Sequence, residues 1–225
     1  MTPKIELCVF DAYGTLFDVH AAIERHAAAV GPQAGDVSHL WRLKQLEYTW
    51  NRSLMGRHAD FWTLTQDALD FALAVFGIRQ AGLRQSLLEA YRVLKAYPEV
   101  RPVLQQLKEA GMKLAILSNG SPQMLQDAVA GAQIGSLLDA VISIEECGIY
   151  KPDPRVYRLV CDRFAVAPEQ VSFQSSNAWD AAGARAFGFS VAWINRSGQP
   201  PEYAFAPPTL TLASLAALPE ALLRP

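Results

Sequence analysis

Two rhythms of apolar and polar positions divide the chain. A short apolar run, IELCVF at 5–10, stops at an acid, Asp11, and enters a turn containing Gly14; it predicts a buried strand. From position 20 to about 97 apolar residues recur at helical spacing with no convincing strand between them. The runs at 38–55, 59–77 and 83–94 predict amphipathic helices, with Ser38 and Asp60 as N-caps and Gly77 as a stop. In the first of these, Leu40, Leu43, Trp50 and Leu54 are expected to supply packing, while Arg42, Leu46 and Thr49 share another stripe.

Near Pro98 the rhythm changes to alternating helix and strand. Helices are predicted at 99–111, 121–132, 153–166 and 177–188, with Gly111 as a stop, Ser121 and Asp153 as caps, and Pro122 and Pro154 at first positions. Strands are predicted at 113–118, 139–143, 171–175 and 190–194, and 208–218 closes with a short strand and helix. This alternation predicts an α/β fold with a parallel sheet wrapped by helices. The all-helical stretch then reads as an insertion after the first strand, over the sheet edge where open α/β sheets bind ligands. The predicted units are 1–16 with 98–225, and 17–97 between them.

Composition narrows the class. The chain has 225 residues, 51% apolar and 19% charged, enough to bury a large core. The net charge of −2 is spread along the chain, so no nucleic-acid partner is expected. No apolar run is long enough for a membrane span, and the leading MTPKIEL is unlike a signal peptide. Cys8, Cys147 and Cys161 lack metal spacing and read as reduced thiols of a cytoplasmic protein.

The polar residues at the strand ends carry the chemistry. The first strand offers Asp11, Tyr13 and Thr15; the second Ser118 and Asn119; the third is followed by Lys151; the fourth offers Ser175, Ser176 and Asn177, then Asp180 one turn on. Each has an ordinary reading as a turn, cap or surface residue. On a parallel sheet these ends converge, so the ordinary account needs several coincidences at one edge.

Four segments, FDAYGTLFD, LAILSNG, YKPDPRVY and SSNAWD, resemble the signature segments of the haloacid dehalogenase superfamily. Together with LWRLKQLEYTW, they resemble its L-2-haloacid dehalogenase branch over the whole chain. The resemblance implies a Rossmann-like core, an inserted helical cap and a homodimer. It also implies that most members of the superfamily are magnesium-dependent phosphatases with a second Asp two residues after the nucleophile. Tyr13 stands there in this chain, and the last motif offers Asn177 and Asp180. An alkoxide leaving group gains from an acid, and a phosphoryl group from a metal, whereas a halide leaves without either. The departure favours halide displacement without metal or cofactor.

The resemblance implies that Asp11 attacks the halogen-bearing carbon of an L-2-haloacid and forms an ester, which water hydrolyses to the D-2-hydroxyacid. Arg42 and Asn119 match the halide-binding residues, with Phe61 lining that wall; spacing alone leaves Arg42 a solvated helix arginine. Ser118, Lys151 and the amides after Asp11 are expected to hold the substrate carboxylate. Tyr13, Leu46 and Trp179 are expected around the alkyl group, with core packing as the other reading. Thr15, Ser175 and Asn177 would orient Asp11 and the water, Asp180 would be the base, alone or sharing that role with Lys151, and Tyr157 would steady Lys151 or simply pack. The rival functions are a phosphatase or phosphonate hydrolase on the same fold, and a non-catalytic binding module.

Overall fold

The computed structural model describes residues 5–223. Residues 1–4 and 224–225, assigned above to the sheet-containing unit, lie outside the described residues, as does the start of MTPKIEL. The strands are β1 (Leu7–Phe10), β2 (Lys113–Ser118), β3 (Ala140–Ser143), β4 (Val171–Ser175), β5 (Ser190–Ile194) and β6 (Leu210–Leu212). They form one six-stranded sheet in the order β3-β2-β1-β4-β5-β6, and every pairing is parallel. β1 and β4 are buried along their whole length, as expected for parallel strands covered on both faces.

The strand order reverses at β1, which pairs with β2 on one side and β4 on the other. That switch point is where two neighbouring connections run to opposite faces and leave a crevice at the strands' carboxyl ends. Asp11 is the residue that steps off β1 there, its N–H still bonded to the Gln174 carbonyl at 2.9 Å.

Helices α1 (Ala21–Glu24), α2 (Ala27–Val30), α3 (Ala34–Met55), α4 (Phe61–Val75) and α5 (Leu83–Arg92) fall between β1 and β2. After them come α6 (Val100–Glu109), α7 (Pro122–Gly131), α8 (Pro154–Phe164), α9 (Ala178–Phe187) and α10 (Leu218–Leu223). Among the described residues no helix is long and apolar enough to cross a membrane.

Asp60 caps α4 by accepting from the Trp62 and Thr63 amides, and Asp153 caps α8 by accepting from Arg155. Ser121 occupies the N-cap position of α7 but its side chain makes no capping bond. Two expectations fail in α3. The helix starts at Ala34, so Ser38 is inside it, where its hydroxyl pairs with His20 Nδ1 at 2.7 Å. Leu43 and Leu54 are 54% and 86% exposed; the buried face is Val37, Ser38, Trp41, Gln45 and Thr49. That face is partly polar: Gln45 Nε2 donates to Thr65 Oγ1 at 3.0 Å, and Tyr91 donates to Gln45 Oε1 at 3.3 Å. A helix whose inner face carries paired polar groups is not marked by its leucines.

Candidate active site

The local backbone places Asp11. Gly14 has φ +92°, and a Cβ there would stand 3.1 Å from Ser176 Oγ, so the turn after β1 lies tight against the end of β4. That closeness brings Thr15 under Asp11. The Thr15 hydroxyl donates to Asp11 Oδ2 at 3.0 Å and in turn accepts from the Ser176 amide at 2.8 Å. Asn177 Nδ2 donates to the same Asp11 oxygen at 2.9 Å, and Ser175 Oγ reaches it at 3.4 Å. Oδ1 faces a different partner, the Lys151 ammonium, at 3.1 Å.

Lys151 is 1% exposed and also donates to Asp180 Oδ2 at 2.9 Å. It lies over the Phe173 ring, 5.0 Å from its centre. Burial is the largest influence on its pKa and works against the charge, but Asp11 and Asp180 outweigh it and hold the ammonium above its ordinary value. Asp180 is raised, chiefly by burial and also by Asp11, with Lys151 and Tyr157 pulling the other way. Two carboxylates share one ammonium, and Asp180 is the deeper of them.

Tyr157 corrects an expectation. Its hydroxyl donates to Asp180 Oδ1 at 2.8 Å, so it steadies the carboxylate rather than the lysine. The close packing of α8 on α9 makes this possible: a Cβ on Gly183 would stand 2.6 Å from the Tyr157 hydroxyl oxygen and from Pro152 Cβ.

Ser118 is fully buried at the end of β2, and its Oγ accepts from the Gly120 amide at 3.1 Å. Asn119 Oδ1 accepts from the Lys151 amide at 3.1 Å, which sets the orientation of its side-chain amide. From the helical segment, Arg42 Nη2 donates to the Tyr13 carbonyl at 3.2 Å and approaches Asn177 Oδ1 at 3.5 Å. Arg42 Nη1 is buried and makes no hydrogen bond among the described residues, although the Tyr91 hydroxyl lies near enough to the guanidinium to interact with it. A buried guanidinium N–H without an acceptor is costly unless something binds there.

Tyr13 belongs to a packed aromatic wall. Its ring stacks on Tyr91 at 5.9 Å with planes 13° apart, and lies 5.9 Å from Phe61. Burial pushes the Tyr13 phenol well above its ordinary value, so it stays neutral beside Asp11. Leu46 is half-buried one turn beyond Arg42. Trp179 is half-buried, edge-on to Trp50 at 5.4 Å. A groove of about 570 Å³ opens beside these two tryptophans, among Pro152, Phe187 and Phe205, and is lined by none of Asp11, Lys151 and Asp180. Ser176, one of the strand-end residues, lies against Thr15; Tyr91, Gln45 and Arg196 also touch this constellation and were not singled out from sequence. Arg196 had a signal, since it follows the carboxyl end of β5; Tyr91 had none, being one aromatic in an amphipathic helix.

Among the described residues, no group of three or more His, Cys, Asp or Glu side chains is placed to hold a metal ion. The position between Asp11 and Asp180 that a cation would take is filled by the Lys151 ammonium. What the arrangement offers is a carboxylate with one oxygen held by hydroxyl and amide donors, a cation against the other, a second buried carboxylate, and an unpaired guanidinium N–H.

Comparison with known proteins agrees with this geometry. Residues 5–188 match the family model described as haloacid dehalogenase-like hydrolase. The chain is 53% identical over 221 residues to (S)-2-haloacid dehalogenase 1 of Pseudomonas sp. (strain CBS-3), covering 98% of this chain and 97% of that one. It superposes on a crystal structure of a dehalogenase with a TM-score of 0.97, at 48% identity and complete coverage of both chains. It also superposes, with a TM-score of 0.87 and 38% identity over 97% of this chain and 98% of the other, on L-2-haloacid dehalogenase from Xanthobacter autotrophicus with chloropropionic acid covalently bound. The chain therefore belongs to the haloacid dehalogenase-like hydrolases, in their (S)-2-haloacid dehalogenase branch.

Proposed function

We propose that this enzyme hydrolyses short L-2-haloalkanoic acids to D-2-hydroxyalkanoic acids through an ester on Asp11. In the first step an Asp11 carboxylate oxygen bonds to the carbon bearing the halogen, and the halide leaves with the bonding pair, opposite the attack. The carbon inverts. In the second step water adds to the Asp11 carbonyl carbon, giving a proton to Asp180; the bond from that carbon to the ester oxygen breaks, the departing alkoxide takes the proton from Asp180, and the hydroxyacid leaves with an oxygen that came from Asp11. The covalently bound chloropropionic acid in the Xanthobacter relative supports this reading.

The observation that carries the proposal is the contrast around Asp11. Its oxygens are held by Thr15, Ser175, Asn177 and Lys151, while the buried Arg42 Nη1 makes no hydrogen bond among the described residues. Arg42 and Asn119, with Phe61 as an apolar wall, form the halide seat. Ser118, Lys151 and the amides after Asp11 hold the substrate carboxylate. Tyr13, Leu46 and Trp179 bound the alkyl group. The segment 17–97 acts as a cap over the sheet edge, and the reaction needs neither metal nor cofactor. The free cysteines fit a cytoplasmic enzyme. The enzyme works as a homodimer, for which exposed Leu43, Leu54 and Met55 on α3 supply apolar surface.

Assaying chloroacetate, both enantiomers of 2-chloropropionate and an aryl phosphate, with and without chelator, tests the reading. Release of chloride from chloroacetate and the L enantiomer, unaffected by chelation, is expected. Magnesium-dependent phosphate release would instead support a phosphatase, and no turnover at all would support a binding module.

A further inference from the structure

The chain enters and leaves the helical segment along two stretches that lie side by side. Phe17 and Ala96 form an antiparallel bridge, Asp18 N–H donates to the Lys95 carbonyl at 3.0 Å, and Tyr97 N–H donates to the Leu16 carbonyl at 3.0 Å. Arg196, two residues past β5, reaches across this crossing. Its Nη1 donates to Glu99 Oε1 at 2.6 Å, and its guanidinium carbon lies 3.8 Å from the centre of the Tyr97 ring. Its other arm goes elsewhere: Nη2 donates to the Thr15 carbonyl at 2.9 Å.

Thr15 is the residue whose hydroxyl holds Asp11 Oδ2. An arginine present only to pair with Glu99 gains nothing from that second arm. The planar guanidinium suits the task, because its donors are fixed in one plane and point in set directions, whereas a lysine offers a single rotatable ammonium. We infer that Arg196 is a positioning residue for ester formation: it fixes the Thr15 turn against the crossing and, through Thr15, the Asp11 carboxylate in its line of attack. Displacements near 1 Å at a reacting group can cost about a hundredfold in rate, so a fastening one residue removed has leverage.

The inference rests on Asp11 being the nucleophile, and the test separates the two. Rapid quenching with excess enzyme and L-2-chloropropionate, followed by peptide mass spectrometry, measures the ester on Asp11 directly. Its absence from the unaltered enzyme would defeat the nucleophile assignment and leave Arg196 with nothing to position. With the ester present, Arg196→Ala should form it about tenfold more slowly, with KM changed by less than about twofold. In a Thr15→Val background the same substitution should add less than about twofold, because the route through the Thr15 hydroxyl is already lost. Arg196→Lys keeps the charge near Glu99 and Tyr97, so it should retain native thermal stability while still losing ester formation several-fold. It decides the matter if Arg196→Ala fails to fold. Wild-type ester formation in Arg196→Lys, or an equal tenfold loss from Arg196→Ala with and without the Thr15 hydroxyl, would overturn the inference.

Discussion

Two cations approach Asp11 from different regions of the molecule, and they are held differently. Lys151 comes from the sheet edge, where two carboxylates enclose it and an aromatic ring lies beneath it. Arg42 comes from the helical segment, where one arm rests on the Tyr13 carbonyl and another nitrogen makes no hydrogen bond among the described residues. A buried cation with all its partners present serves the resting protein by offsetting negative charge. A half-buried cation whose buried nitrogen has a donor to spare is arranged for a negative group that arrives later. On this reading Lys151 lets a substrate carboxylate approach Asp11, and Arg42 meets the halide as its charge develops.

Breaking the Lys151 side should have the largest effect. Lys151→Met leaves Asp11 and Asp180 without the ammonium between them. Ester formation should fall about a thousandfold, roughly 4 kcal/mol of transition-state stabilisation. Thermal stability should fall too, because removing one partner of a buried ion pair leaves the others uncompensated. Rapid-quench kinetics and a melting curve check both; a stable, active Lys151→Met would end the comparison.

Arg42→Ala should cost less and should leave the fold alone. We expect about a hundredfold loss, near 3 kcal/mol, with a melting temperature close to that of the unaltered enzyme. The loss should be greater for chloride than for bromide, since the poorer leaving group depends more on stabilisation of its charge. Equal losses for both halides would place Arg42 outside the halide seat.

These two regions also differ in how readily the sequence disclosed them. The sheet edge was legible because short apolar strands separated by helical runs predict a parallel sheet, and parallel strands bring their ends together. The strands at 113–118, 171–175 and 190–194 fall at the predicted bounds. The helical segment was less legible. Its inner face on α3 includes Ser38, Gln45 and Thr49, so hydrophobicity did not mark it, and Leu43 and Leu54 misled. The four-residue helices α1 and α2 are too short for a periodic signal. Tyr157 was placed near Lys151 by sequence spacing, but which of two charged neighbours its hydroxyl meets depends on how α8 packs on α9. Arg196 acts on a backbone carbonyl, a contact that no residue type announces.

The smallest expected effect lies on the Lys151 side and concerns pH. Asp180 must be ionised to take a proton from water, so ester hydrolysis should fall as pH drops through its pKa. That pKa stands above the ordinary carboxylate value of 3.8, mainly because of burial. Esterification neutralises Asp11 and removes one upward influence, but burial persists. The Tyr157 hydroxyl stabilises the ionised form and pulls the value down. Tyr157→Phe should therefore move the acid limb of ester hydrolysis to higher pH, by about one unit or less. A limb that stays in place, or moves down, would remove Tyr157 from that role.

The central claim is that Asp11 bonds to the substrate instead of merely activating water. Both schemes release the same hydroxyacid, but they send the oxygen of water to different places. A single turnover in oxygen-18 water, with enzyme in excess, followed by mass spectrometry of product and of the Asp11 peptide, distinguishes them. The ester route predicts label on the Asp11 peptide and essentially none in the first hydroxyacid released, with label entering the product only over later turnovers. Label in the first product and none on Asp11 would contradict it, and would leave Asp11 as a base for direct attack by water.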